Sequence, residues 1–180
     1  MTDTIITIGY AGWALEDLYE LCEAVNGILV DVRFAPDASR TPAYNREALE
    51  AYFGNRYVWV GELGNRGYHG HAIDLVDFER GAARVREVVE AGYTPILLCG
   101  CPNPFTCHRR QVAERLACLW GMKVLEIRRI GRAVDPEQLR LFGRPKTGTR
   151  AVRVPASKRV VAGGGSRRPV RGGNSNDHCT

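Results

Sequence analysis

The chain alternates between two kinds of pattern, and this alternation limits what it can fold into. Short aliphatic runs that end at Gly, Asp or Cys are each followed by a loop and then by apolar residues at helical spacing. Ile5 to Ile8 reads as a strand ending at Gly9. Leu15, Leu18, Tyr19, Leu21, Cys22 and Val25 form one helical stripe, and Asn26-Gly27 is a helix stop. A second strand, Ile28 to Val32, carries Asp31 and ends at Arg33. A helix over about Arg46 to Phe53 leads to a third strand, Tyr57 to Val60, and a further helix runs from about Val76 to Ala91. Ile96, Leu97 and Leu98 form a continuous apolar run, as in a strand buried on both faces, and the Pro-Asn-Pro loop beyond Cys99 forbids helix directly after it. Helix then resumes, with Thr106 a suitable N-cap and Val112, Ala113, Leu116 and Ala117 on one face. A strand near Lys123 to Ile127 and a short helix near Pro136 to Leu141 complete the pattern. Repeated βα units of this size predict an α/β fold, a Rossmann-like three-layer sandwich with a mostly parallel sheet.

At 180 residues and 44% hydrophobic content, one substantial core is expected. The charge is uneven. From Arg144 onward nine Lys or Arg residues face the single acid Asp177, a charge of +8, so the rest carries −3 of the total +5. The domain is therefore read as 1–143, with 144–180 a basic, disordered tail whose Gly163 to Gly165 run and few large apolar residues disfavour packing. Val152, Val154, Val160 and Val161 allow a short strand there. Such a tail suits non-specific contact with nucleic-acid phosphates, or serves only as a solubilising end. No apolar run approaches the roughly 18 residues of a bilayer span, and the N-terminus has no secretory pattern. A cytoplasmic protein with no membrane partner is the expectation, its six cysteines reduced. Cys22 and Cys118 are expected in the core, and Cys179 is expected to be exposed.

In a parallel sheet the carboxyl ends of the strands share one edge, where ligands bind. The residues expected there are Gly9-Tyr10, Arg33 and its loop, Glu62 with a glycine-rich loop containing Tyr68, His69 and His71, and the segment Cys99 to Arg110. Gly-Tyr-Ala-Gly lacks the spacing of a dinucleotide fingerprint, and no G-x-x-x-x-G-K-[ST] loop is present. Neither NAD nor any other cofactor is expected.

TIGYAG, LVDVRFAP followed by Ser39-Arg40-Thr41-Pro42 and Tyr44-Asn45, GELGNR, and LLC followed by Pro104-Phe105-Thr106-Cys107-His108-Arg109 resemble the family called domain of unknown function 488. The resemblance covers roughly Thr4 to Ile127 and implies a cytosolic α/β protein with its site at these motifs, without naming a reaction. The chain departs from the family at three places. It has Tyr10-Ala11 where His-Ser is common, Gly64-Asn65 where two glycines are common, and Cys101 where an acid follows the strand-end cysteine.

Four readings of the Cys99 to Arg110 joint stay open. In the first, Cys107 is a nucleophile at a helix start beside His108, Arg109 and Arg110. Rhodaneses and cysteine phosphatases are similar in placing a strand-end cysteine before an arginine, and Asp31-Val32-Arg33 resembles the rhodanese Asp-x-Arg strand. In the second, Arg33, Arg40, His108 and Arg109 hold the phosphate of a nucleotide or nucleic acid, Asp31 or Glu62 orients the substrate or a water, and Tyr44 and Asn45 are further substrate-binding residues. In the third, Cys99, Cys101, Cys107 and His108 form a zinc ligand set, although the C-x-C spacing is unusual, and no metal is assigned. In the fourth, the residues are structural: Cys99 is core, and Asp31 pairs with Arg109 or Arg33 to shape the loop. The second leads, with catalytic roles for Cys107, His108 and Asp31 kept beside it. A non-catalytic nucleic-acid-binding or adaptor module is the alternative.

Overall fold

The strand β4 (Thr94–Cys99) is buried along its whole length, as its apolar run demands, and it occupies the centre of the sheet. The computed structural model describes residues 2–67, 72–130 and 133–134. In chain order the elements are β1 (Thr4–Gly9), α1 (Leu15–Ala24), β2 (Gly27–Asp31), α2 (Arg46–Phe53), β3 (Tyr57–Trp59), α3 (Phe78–Glu90), β4, α4 (His108–Trp120) and β5 (Lys123–Ile127). A small antiparallel pair follows, β6 (Arg129–Ile130) with β7 (Ala133–Val134). The five long strands form one parallel sheet in the order β3-β2-β4-β1-β5. This is the expected α/β sandwich.

The connections β1 to β2 to β3 run one way across the sheet, and β3 to β4 to β5 run back. Crossovers between parallel strands are right-handed, so this reversal places the first two helices on one face and the last two on the other. The packing follows that rule. Ile6, Ile8, Leu29, Ile96 and Leu98 meet Leu18, Leu21, Leu49 and Phe53 of α1 and α2. Ile5, Val30, Leu97 and Cys99 meet Val85, Val88, Val112 and Leu116 of α3 and α4. Neighbouring strand residues face opposite layers because the side-chain period of a strand is two. Each fully buried aliphatic side chain contributes about 1.5–3 kcal/mol of transfer free energy, so these two layers dominate stability.

Local chemistry sets the boundaries. Asn26 takes φ 49°, the left-handed conformation that ends α1 and turns the chain into β2. Helix α4 starts later than its sequence suggests: Pro104–Thr106 form a single tight 3-10 turn, so Cys107 rather than Thr106 is the N-cap. Cys22 is buried, and that burial pushes its thiol up to about 12. Cys118 is exposed, against expectation, because it lies one residue past the buried Ala117 and so about 100° off the inward face. No helix among the described residues is long and apolar enough to cross a membrane. The tail from 144 with its candidate strand, Cys179, the helix expected near Pro136 to Leu141, and Tyr68, His69 and His71 lie outside the described residues.

Candidate functional site at the carboxyl edge of the sheet

The adjacent strands β1 and β4 send their chains to helices on opposite faces, and so do β2 and β4, which makes this edge a topological switch point. Backbone hydrogen bonds tie the three strand ends together: Tyr10 N–H donates to the Cys99 carbonyl at 3.0 Å, and Val32 N–H to the Leu98 carbonyl at 3.1 Å. Gly9 stands directly opposite Cys99. A Cβ on Gly9 would lie 2.3 Å from the Cys101 carbonyl oxygen and 3.1 Å from the Arg109 guanidinium, so only glycine lets the β4–α4 loop lie across the end of β1.

Asp31 is fully buried and accepts four hydrogen bonds. The donors are the Arg33 backbone N–H at 3.1 Å, Arg33 Nε at 2.8 Å, Arg33 Nη2 at 2.5 Å and the Tyr57 hydroxyl at 2.7 Å. A carboxylate has about four acceptor positions, so all of this one's are occupied and it holds Arg33 in place. Of the two partners considered for Asp31, the structure pairs it with Arg33. Burial works against the Arg33 charge, but the Asp31 contacts outweigh it, and its pKa lies above the usual arginine value. The third nitrogen, Nη1, reaches the part-buried Tyr10 hydroxyl at 3.4 Å, which is in turn 3.2 Å from Ser39 Oγ. Tyr10 stacks on buried Tyr44 at 4.1 Å, and Tyr44 donates to the Trp13 carbonyl, so Tyr44 packs beneath the site. Arg40 is exposed beside Ser39. Asn45 occupies the N-cap position of α2 without a side-chain capping bond, and its Oδ1 is buried without a hydrogen-bond partner.

Tyr57, which the sequence does not mark as a site residue, has its pKa raised first by burial and then by the Asp31 carboxylate. A raised native pKa means that folded Tyr57 keeps its proton where the unfolded chain loses it. The stabilisation is therefore complete below pH about 10 and declines as pH rises above it. Tyr57→Phe is expected to lose less stability than the parent between pH about 10 and 11, a comparison that urea unfolding at each pH makes directly.

Arg109 is placed differently from Arg33. It is fully buried, donating to the Cys101 carbonyl at 2.6 Å and to Glu126 Oε1 at 2.8 Å, while the other Glu126 oxygen accepts from Thr7. Burial opposes its charge, but Glu126 and the Cys107 thiol offset this and raise its pKa. Its hydrogen bonds thus clamp the β4–α4 loop to β1 and β5. Glu62 also faces inward, toward Arg84 at 3.0 Å and Arg80 at 3.6 Å on α3. A shallow groove lined by Ile73, Phe78, Gln111 and Arg115 contains none of the expected site residues.

The sulfurs of Cys99, Cys101 and Cys107 lie within 4.8 Å of one another, the first and last buried and Cys101 half-buried. Contact with Cys101 lowers the Cys99 pKa, but nearby Cys107 and burial outweigh it, so Cys99 is pushed up to about 12. His108 Nε2 is 2.8 Å from the Val32 carbonyl, which can only accept, so Nε2 carries a proton, and Nδ1 lies 4.0 Å from Cys107 Sγ. A histidine so held suits either a base beside a thiol or a partner of thiolate-bound metal.

No curated protein and no solved structure gives a match to the chain. Residues 14–74, which carry the Asp31 and Arg33 strand end and the Ser39 to Asn45 loop, match the family model described as Domain of unknown function DUF488, the family that the sequence motifs resemble.

Proposed function

We propose that this is a cytoplasmic protein that binds a phosphate-bearing ligand, a nucleotide or nucleic acid, at the carboxyl edge of its sheet, with Arg33 as the anion contact. The observation that carries the reading is the fixed guanidinium. Asp31 holds two of its nitrogens, leaving the Nη1 corner among the Tyr10 and Ser39 hydroxyls, with Arg40 exposed nearby. A cation already oriented by a buried carboxylate loses little freedom on meeting an anion, and a planar fork suits phosphate. In this reading His108 and Arg109 position the loop, since their hydrogen bonds are directed to Val32, Cys101 and Glu126.

A nucleic acid is favoured over a free nucleotide by Phe105, which is 68% exposed at the same edge with the Arg110 and Arg128 guanidiniums 4.8 and 5.5 Å from its ring centre. Exposed aromatics beside arginines are the usual platform for unpaired bases. Calorimetric titration of the full chain with inorganic phosphate, AMP and a short single-stranded oligonucleotide tests both points. Saturable binding is expected to weaken at least about tenfold in Arg33→Ala and to recover little in Arg33→Lys, which lacks the fork. Phe105→Ala is expected to weaken the oligonucleotide alone. Unchanged affinity in Arg33→Ala would refute the reading.

A further inference from the structure

We propose that Cys99, Cys101 and Cys107 form a three-thiolate site for a thiophilic divalent cation of the zinc class. The inference rests on residues other than the Arg33 contact and stands apart from the anion reading. Three parts of the fold deliver the sulfurs: the last residue of β4, the loop after it, and the N-cap of α4. The Cys99 and Cys101 sulfurs are 3.8 Å apart, and all three lie within 4.8 Å. Thiolates at 2.3 Å from a tetrahedral zinc ion stand about 3.8 Å from each other, so the cluster needs only a small contraction to close on an ion.

The surroundings suit such an ion in two further ways. Three thiolates on a divalent cation leave one negative charge, and the fully buried Arg109 lies beside them with its Nε without a hydrogen-bond partner. Buried donors are rarely left so, and the Arg109 charge already acts on Cys101 and Cys107. His108, 4.0 Å from the Cys107 sulfur, has its far N–H held by the Val32 carbonyl, the anchoring that metal-bound histidines commonly have. The triad fills three of the four places of a tetrahedral ion and leaves the fourth to solvent or an added ligand, as in reactive rather than purely structural zinc centres. Binding is balanced by release of the three thiol protons to solvent as the metal–sulfur bonds form.

Cobalt(II) alone is the probe, added to the reduced, chelator-treated full chain. The expected result is one equivalent bound with an intense near-ultraviolet thiolate-to-cobalt band, displaced by zinc. Cys99→Ser, Cys101→Ser and Cys107→Ser are each expected to weaken binding at least about tenfold, and Cys22→Ser to leave it unchanged. Cys101→Ser is decisive, because its half-buried position lets circular dichroism confirm an intact fold in the same sample. Absence of the band in the parent, persistence of the band in folded Cys101→Ser, or a disulfide within the triad after purification under argon would overturn the proposal. Arg33→Ala is expected to keep the band, so failure of the anion reading and failure of this one are separable.

Discussion

Glu126→Ala is expected to destabilise the fold by about 3–5 kcal/mol, because it leaves the Arg109 charge buried without its counter-ion. Arg109 has no exposed surface on which to rehydrate, and Glu126 also accepts from Thr7 on the neighbouring strand. For a domain of this size that loss lowers the melting temperature by roughly 10 °C. The double variant Arg109→Met with Glu126→Leu removes both charges and is expected to regain a good part of the loss, since a buried pair often does little better than apolar residues of similar volume. Thermal unfolding of the two variants separates the cost of an orphaned charge from the worth of the bridge. If Glu126→Ala melts with the parent, the buried clamp is not present in solution.

Asp31→Ala is expected to cost about 3–5 kcal/mol as well, for a related reason. It strands the Arg33 guanidinium, whose side chain is only 9% exposed, and deprives the Tyr57 hydroxyl of its acceptor. Its second consequence sets it apart from Glu126→Ala. A guanidinium released from Asp31 no longer points its Nη1 corner at the edge, so phosphate affinity is expected to fall together with stability. Asp31→Asn keeps the shape but loses the charge and sets an amide NH2 against two of the four donors, so an intermediate loss on both measures is expected. Urea unfolding and ligand titration on the same samples check the coupling.

The layers of this fold were readable because the signals are local. The all-apolar β4 run marks a central parallel strand, and the α4 stripe of Val112, Ala113, Leu116 and Ala117 marks the face that packs on it. The Asp31 and Arg33 pairing was within reach of sequence reasoning because the two lie two residues apart at one strand end. The Arg109 and Glu126 pair was not, since nothing in an arginine at a helix start says that its side chain crosses over Gly9 to an edge strand. Tyr57 escaped for the same reason: its hydroxyl acquires a role only once β2 and β3 are in register. The C-x-C spacing argued against a metal knuckle. The structure adds what spacing omits, because the 3-10 turn of Pro104–Thr106 folds Cys107 back onto the strand-end pair.

The central claim is that the arginine facing the ligand is Arg33 and that Arg109 faces the protein. Side-chain NMR of the guanidinium Nε–Hε signals during titration with inorganic phosphate and then an oligonucleotide observes both residues at once. The Arg33 signal is expected to shift and saturate with the ligand, while that of Arg109 stays where it is. A saturating ligand that leaves the Arg33 signal unmoved, or shifts Arg109 in its place, would contradict the account.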